Sequence, residues 1–324
     1  MPDLSVLIAT YNRAEVLRQT LAAMCALDRE RLDVEFVIID NNSADNTAEV
    51  IDSFKDRLPI RHLFQPKQGK SAALNLALET AELGDIVVFT DDDVVPAANW
   101  LQEVRVATVR WSEVAVFGGR IDPLFPDDAP SWVRLPVLQF AYSTHAVSDR
   151  DMLYNTDDTG IIGEYPCGSN IWVRRRVVQE GFRFQDALGQ GHPSGLSGED
   201  GEFVNSIVRS GKKALYCATA VVKHQCKPEV LTKHGVQARI YGMGRACCYR
   251  QESLRTTSAR SGPLLWAMAR SASVVRWGIA ASVFCCLGVV HDGFFIKSVS
   301  SVWMLGYNLE GLKIAAKRIA DVSS

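Results

Sequence analysis

Three aspartates in a row, Asp91-Asp92-Asp93, stand directly after the apolar run Ile86-Val87-Val88-Phe89 and Thr90. Adjacent carboxylates repel one another, and a cation placed among them removes that cost. Oxygen donors suit Mg²⁺ or Mn²⁺, which take few ligands from a protein and the rest from substrate phosphates. The triplet therefore predicts a divalent cation and a phosphate-bearing ligand at the end of one strand. A second acidic pair, Glu199-Asp200, opens an amphipathic stretch that closes at Gly211. Acids there suit the positive end of a helix dipole. A carboxylate within reach of a hydroxyl can also serve as a general base.

These groups need a scaffold, and the first 120 residues alternate in a way that supplies one. The runs 4–10, 34–40, 60–64, 85–90 and 114–119 are rich in Val, Ile, Leu and Phe. Continuous apolar runs mark strands covered on both faces. Amphipathic stretches at 13–26, 45–56, 70–82 and 97–111 lie between them, so βαβ units and a parallel sheet are expected. Asn42-Ser43-Ala44-Asp45 offers an N-cap for the second helix. Ligands of an open parallel sheet bind beyond the carboxyl ends of its strands. Four groups fall on that rim: Thr10-Tyr11-Asn12-Arg13, Asp40-Asn41-Asn42-Ser43, Gly69-Lys70-Ser71 and the aspartate triplet. No Walker lysine motif and no GxGxxG is present, so neither a P-loop NTPase nor a dinucleotide dehydrogenase fits.

Between Ile121 and Pro166 the periodicity fades, and Pro123, Pro126, Pro130 and Pro136 punctuate a long excursion of the functional kind. Regularity returns at 167–173, followed by a helix near 174–180, a glycine-rich stretch at 188–198 and a helix over 199–211. "KALYCA" and "AVVKH" read as two short final strands.

The chain has 324 residues, 47% hydrophobic and 22% charged, which excludes wholesale disorder. A net charge of -2 names no partner, and nucleic acid is not expected. Between Phe203 and Val290, however, the only acids are Glu229 and Glu252, against thirteen lysines and arginines. That bias fits a solvated basic face or a surface for anionic lipid or phosphate. The eight cysteines show no CxxC spacing, so reduced thiols and a cytosolic compartment are expected. The chain enters "LSVLIAT" with no basic start or cleavage site, so no signal peptide is expected. In the tail, the uncharged runs 277–290 and 298–309 fall short of the roughly 20 residues that span a bilayer. Trp266, Trp277 and Trp303 flank them, and Arg270 and Arg276 precede them. A buried hairpin, an interfacial or re-entrant helix pair and a true span all remain open.

Taken in order, "VLIATYNRAEVLRQTLAAM", "FVIIDNNSADNT", "GKSAALNLAL", "DIVVFTDDDVVP", "CGSNIWVRR" and "GEDGEFVNSIVRSGKKALYCATAVVKH" resemble the family 2 glycosyltransferases of bacterial cell-surface polysaccharide synthesis. The resemblance covers residues 4 to 225. It implies an α/β GT-A fold over 1–235, with a mainly parallel sheet flanked by helices. Residues 236–324 would form a helical, membrane-associating extension. It also implies inverting transfer of a sugar from a nucleotide-diphosphate donor to a hydroxyl of a glycan or polyprenyl-linked acceptor. The site would be cytoplasmic, peripheral or monotopic on the inner face of the plasma membrane.

By the same resemblance Thr10, Tyr11 and Arg13 would hold the base and ribose, and Asp40 would accept a hydrogen bond from the base. Lys70 would approach the base or diphosphate. Asp91 would lie near the ribose, Asp93 would bind Mg²⁺ or Mn²⁺, and Asp92 would share either role. His224, ending the last strand, would be a further metal ligand. Asp200 would be the catalytic base, with Glu199 orienting it or touching the acceptor. Gly168, Ser169 and Asn170 would shape the acceptor floor, and Trp132 would stack on a sugar. Asn41 stands where a second aspartate is usual, and the glycine-rich stretch before Glu199 is longer than a minimal linker. A nucleotidyltransferase and a non-catalytic nucleotide-sugar-binding scaffold are the alternatives. The first would want a basic, glycine-rich loop where "TYNRAEVL" stands.

Overall fold

The computed structural model describes residues 2–158, 160–189, 198–254, 263–288 and 292–323, and they form two units. The first takes in the chain up to Phe125, then Tyr142–Ser194 and Glu199–Gln225. The apolar runs become strands β1 (Leu4–Thr10), β2 (Val34–Asp40), β3 (Ile60–Phe64), β4 (Ile86–Asp91), β5 (Val94–Pro96) and β6 (Val114–Leu124). The short β7 (Met152–Leu153), β8 (Thr156–Asp157) and β9 (Gly160–Ile161) come next, then β10 (Ile171–Arg174) and β11 (Lys213–Gln225). The main sheet runs β3-β2-β1-β4-β10-β6-β11-β5. β3, β2, β1 and β4 are parallel, as the alternation requires. β10 enters antiparallel between β4 and β6, and β5 antiparallel to β11.

Period-two alternation divides the core. Val6, Ile8, Phe36 and Ile38 face one side. Helices α1 (Ala14–Met24), α2 (Thr47–Asp52) and α4 (Trp100–Arg110) cover that side with Leu17, Leu21, Val50, Trp100 and Val104. Leu7, Val37 and Ile39 face the other. There α3 (Lys70–Thr80), α5 (Arg175–Gln179) and α6 (Glu199–Arg209) supply Ala73, Ala77, Val177, Phe203 and Ile207. Strands so covered carry apolar side chains on both faces, which is why the runs are nearly continuous and not alternating.

Two local expectations need correction. The two short final strands are one strand, β11, whose register shifts between Cys217 and Val221. A bulge absorbs the extra residues and keeps both halves on β6. The second helix starts at Thr47, and the carboxylate that serves it is Asp45: Oδ1 accepts from Thr47 N at 3.1 Å. Its Oδ2 accepts from Ala14 N at 3.0 Å, so one side chain ties the starts of α1 and α2.

His145 is buried alongside β6. It pairs with Ile121 through backbone bonds in both directions and shares a 2.5 Å hydrogen bond with the Tyr154 hydroxyl. Burial holds its pKa down at about 4, against an ordinary 6.5. The folded protein thus keeps the ring neutral where the unfolded chain protonates it. The stability it contributes is complete above pH 6.5 and is lost as pH falls towards 4. Between pH 7 and pH 5 that is about 2 kcal/mol. Urea unfolding at both pH values should show a smaller acid loss in His145→Gln than in the wild type, by about that amount.

The second unit comprises Pro126–Ala141, Gly195–Gly198 and Cys226–Ser324, so only residues 126–141 of the proline-rich excursion go with the tail. Its helices are α7 (Lys233–Leu254), α8 (Pro263–Gly288) and α9 (Asp292–Ser323). α7 and α9 cross closely at Gly244 and Gly306, where a Cβ would come within 2.1 Å of the facing backbone oxygen. Arg245 bonds Glu310 at 2.8 Å. Arg270 of α8 bonds Asn308 at 3.0 Å and lies 3.7 Å from Glu252. Among the described residues no helix is long and apolar enough to cross a membrane.

Candidate active site

β4 ends at Asp91, the chain turns through Asp92 and Asp93, and β5 begins at Val94. The turn separates the three carboxylates. Asp92 points inward, where it accepts from Thr10 Oγ1 at 2.7 Å and pairs with Arg13. Its backbone carbonyl accepts from Thr20 Oγ1 at 2.7 Å. Asp91 and Asp93 lie with His224, donor atoms of the three within 4.8 Å of one another, and Arg13 bonds Asp93 as well at 2.8 Å. The β11–β5 pairing delivers the histidine: His224 is in register with Val94, and Gln225 N bonds Asp93 O at 2.8 Å. Asp91 joins Asp93 and His224, while Asp92 secures the turn.

Charge accounting shows why such a cluster suits a cation. Asp91, Asp92, Asp93, Glu199 and Asp200 are five carboxyl groups in one network with two permanent cations, Arg13 and Lys70. Burial alone would push Asp91 and Asp93 up. Lys70 outweighs it at Asp91, and His224 with Arg13 outweighs it at Asp93, so both carboxyls are held below their ordinary range. Burial prevails at Asp92, which is raised to about 6 despite Arg13. Burial and the neighbouring Asp200 raise Glu199. Two ionised oxygens and one imidazole make a donor set that fits Mn²⁺ or Mg²⁺.

Three successive residues ahead of β10 organise the rest. Gly168 N donates to Asp200 Oδ2 at 2.5 Å, and Ser169 Oγ donates to Asp91 Oδ2 at 2.6 Å. Asn170 spends its amide on the fold. Nδ2 donates to Arg120 O at 3.0 Å and Ala220 O at 2.8 Å, and Oδ1 accepts from Trp100 Nε1 at 3.0 Å. Lys70 lies between the acidic groups, 2.5 Å from Asp91 and 3.8 Å from Glu199. A Cβ on Gly168 would sit 3.1 Å from Asp200 and 3.2 Å from Lys70, so glycine lets the carboxylate and the lysine close on the backbone. Burial works against the lysine charge, but Asp91, Glu199 and Asp200 hold its pKa above the ordinary value. Asp200 stays partly open at the start of α6 while Glu199 is buried towards Lys70. A partly open carboxylate thus stands beside an acidic cluster, with a lysine between them.

On the same rim Asp40 is buried and accepts from Ser43 N at 2.9 Å, and Tyr11 is 45% exposed. Arg13 is turned to Asp92 and Asp93. Trp132 belongs to the second unit, where its ring meets Phe295 edge-on at 5.1 Å. The role of one rim residue was not foreseen. Asn41 receives Gly69 N on Oδ1 at 2.8 Å and gives Nδ2 to Gln65 O at 3.0 Å and Lys67 O at 2.7 Å. It shapes the loop that presents Lys70. Its only sequence signal is an amide-bearing residue at a strand end, where an unpaired loop backbone needs partners.

The family model described as Glycosyl transferase family 2 matches residues 5–182, over half of the 324 residues. The chain belongs to glycosyl transferase family 2. This glycosyltransferase is 25% identical to glycosyltransferase AglE of Haloferax volcanii over 238 residues, 72% of this chain and 71% of that protein. It is 32% identical to the chondroitin synthase of Escherichia coli over 119 residues, 36% of this chain and 17% of that one. In structure it resembles the mannosyltransferase PcManGT from Pyrobaculum calidifontis in complex with GDP-Man and Mn²⁺. The TM-score is 0.58 at 18% identity, covering 96% of this chain and 87% of that one. Staphylococcus aureus TarS 1–349 in complex with UDP-GlcNAc matches at TM-score 0.53 and 15% identity, covering 93% of this chain and 90% of that one. The family 2 glycosyltransferase thus has the GT-A fold expected of it, a mostly parallel sheet flanked by helices with a helical region after it.

Proposed function

We propose that this family 2 glycosyltransferase transfers a sugar from a nucleoside-diphosphate donor to an acceptor hydroxyl in one displacement, with inversion. The observation that carries it is the convergence, on one rim, of the Asp91-Asp93-His224 cluster and the partly open carboxylate of Asp200. Asp91, Asp93 and His224 would hold a divalent cation, which supplies Lewis-acid stabilisation of the charge on a leaving diphosphate. Asp200 takes the proton of the acceptor hydroxyl, since a neutral alcohol is a poor nucleophile. Gly168 N–H fixes one oxygen of that carboxylate and Gly201 N–H the other, at 2.5 and 2.8 Å. Lys70 offsets part of the charge of Asp91 and Glu199 beside the base. Asp40 and exposed Tyr11 hold the nucleoside at the ends of β2 and β1.

The solved relatives with GDP-Man and UDP-GlcNAc support a nucleotide-sugar donor. The chondroitin synthase relative supports a glycan acceptor. A polyprenyl-linked acceptor at the inner membrane surface is the finer proposal, supported by the basic composition between Phe203 and Val290. The test is a panel of UDP, GDP and dTDP sugars with and without Mn²⁺, with product configuration read by NMR. Inverted product that requires Mn²⁺ is expected. Retained configuration, or turnover indifferent to chelation, contradicts the proposal.

A further inference from the structure

The outer side of α8 is built differently from its inner side. Inward, Arg270 reaches Asn308 at 3.0 Å and lies over the Tyr307 ring at 4.5 Å, and Ala281 is buried. Outward, Met268 is 61% exposed, Val275 63%, Ile279 62% and Val283 49%. At about 3.6 residues per turn their spacings of seven, four and four place all four on one face. Ala272, Ser271 and Ser282 are exposed beside them, and Arg276 lies at the edge with its guanidinium 5.1 Å from the Trp277 ring. A continuous row of large apolar side chains along one helix face marks an interaction surface.

Charge selects among the partners. No aspartate or glutamate occurs from Ser253 to His291, a stretch that carries Arg255, Arg260, Arg270 and Arg276. A second copy docked about a two-fold axis near Val275 would set Arg276 against its own equivalent, with no acid on either helix to pair it. An anionic lipid surface has the opposite requirement: an apolar strip to enter the acyl boundary and cations at the strip's edge. We infer that the Met268-Val275-Ile279-Val283 face of α8 seats on an anionic bilayer, with Arg276 at headgroup level. α8 then lies in the interface, in keeping with its failing to qualify as a span. This deepens the membrane siting proposed above by naming the face that makes it.

The test is co-sedimentation of the full chain with vesicles of phosphatidylcholine alone or mixed with phosphatidylglycerol. Wild type should pellet with the anionic vesicles and leave them as salt rises. The double variant Val275→Asp, Ile279→Asp should lower the partition at least tenfold. Its melting curve and its turnover of a water-soluble acceptor should be unchanged, because both side chains face outward. Retention of wild type in the supernatant with both vesicle types, or unchanged pelleting of the variant, overturns the inference. So does a fall from dimer to monomer in the variant, which assigns the face to a second copy. Loss of transfer with intact vesicle binding would count against the proposed reaction and leave the face standing.

Discussion

Asp200→Asn binds the donor as tightly as wild type and turns it over roughly 10²–10⁴-fold more slowly. The substitution keeps the shape of the side chain and an oxygen for Gly168 N–H, which bonds Asp200 at 2.5 Å. It removes the capacity to take a proton, a loss felt in the transition state, and it gives up one of the two backbone bonds from Gly168 N–H and Gly201 N–H, a local cost that donor binding does not report. kcat should therefore fall while the donor Kd and its KM stay within a few-fold. Rapid-quench turnover beside calorimetric donor binding separates the two. A variant with undiminished kcat would take Asp200 out of the role of base, and a binding scaffold would be indifferent to it throughout. Gly168→Ala should show a weaker form of the same signature, because its Cβ would crowd Asp200 at 3.1 Å.

Removal of Asp93 should act on the cation. Asp93→Ala should lose Mn²⁺ affinity by more than about a hundredfold, since a ligand itself is removed where loss of an outer partner already costs 10–100-fold. Asp92→Asn should stay within a few-fold of wild type. Its carboxylate serves Thr10 and Arg13, not the cluster with His224. Thermal unfolding gives a second readout. At a hundred times its Kd, Mn²⁺ stabilises the wild type by about 2.7 kcal/mol. Asp93→Ala should gain almost nothing from the same addition. The contrast between adjacent aspartates is what the turn geometry demands, and equal losses at Asp92 and Asp93 would refute it.

Much of the site was legible because it depends on strand ends. β1, β2 and β3 match the apolar runs residue for residue, and β4 is displaced by one. The rim residues Thr10, Asp40 and Asp91 follow from those ends. Tertiary register was not legible. That Asp91 and not Asp92 joins His224 follows from a turn and from the β11–β5 pairing, neither of which has a sequence periodicity. Ser169 and Gly168 stood out as residues of a matched motif, but their partners Asp91 and Asp200 lie 78 and 32 residues away. Lys70 and Arg13 were expected towards the nucleotide. In the structure both lie against carboxylates, the nearest opposite charges available to half-buried cations. The tail was the least legible part. Uncharged runs bounded by tryptophan do not specify which helix face stays uncovered, and only the packing of α8 on α9 does.

The central claim is that the acids at the end of β4 hold a cation between Asp91, Asp93 and His224. Crystals grown with Mn²⁺ and a nucleoside diphosphate, with anomalous diffraction collected at the manganese edge, locate that ion without assumption. A single peak within bonding distance of those three side chains, with a diphosphate oxygen on its open side, is the predicted result. A peak on Asp92, or saturating nucleotide with no manganese near Asp93, would contradict it.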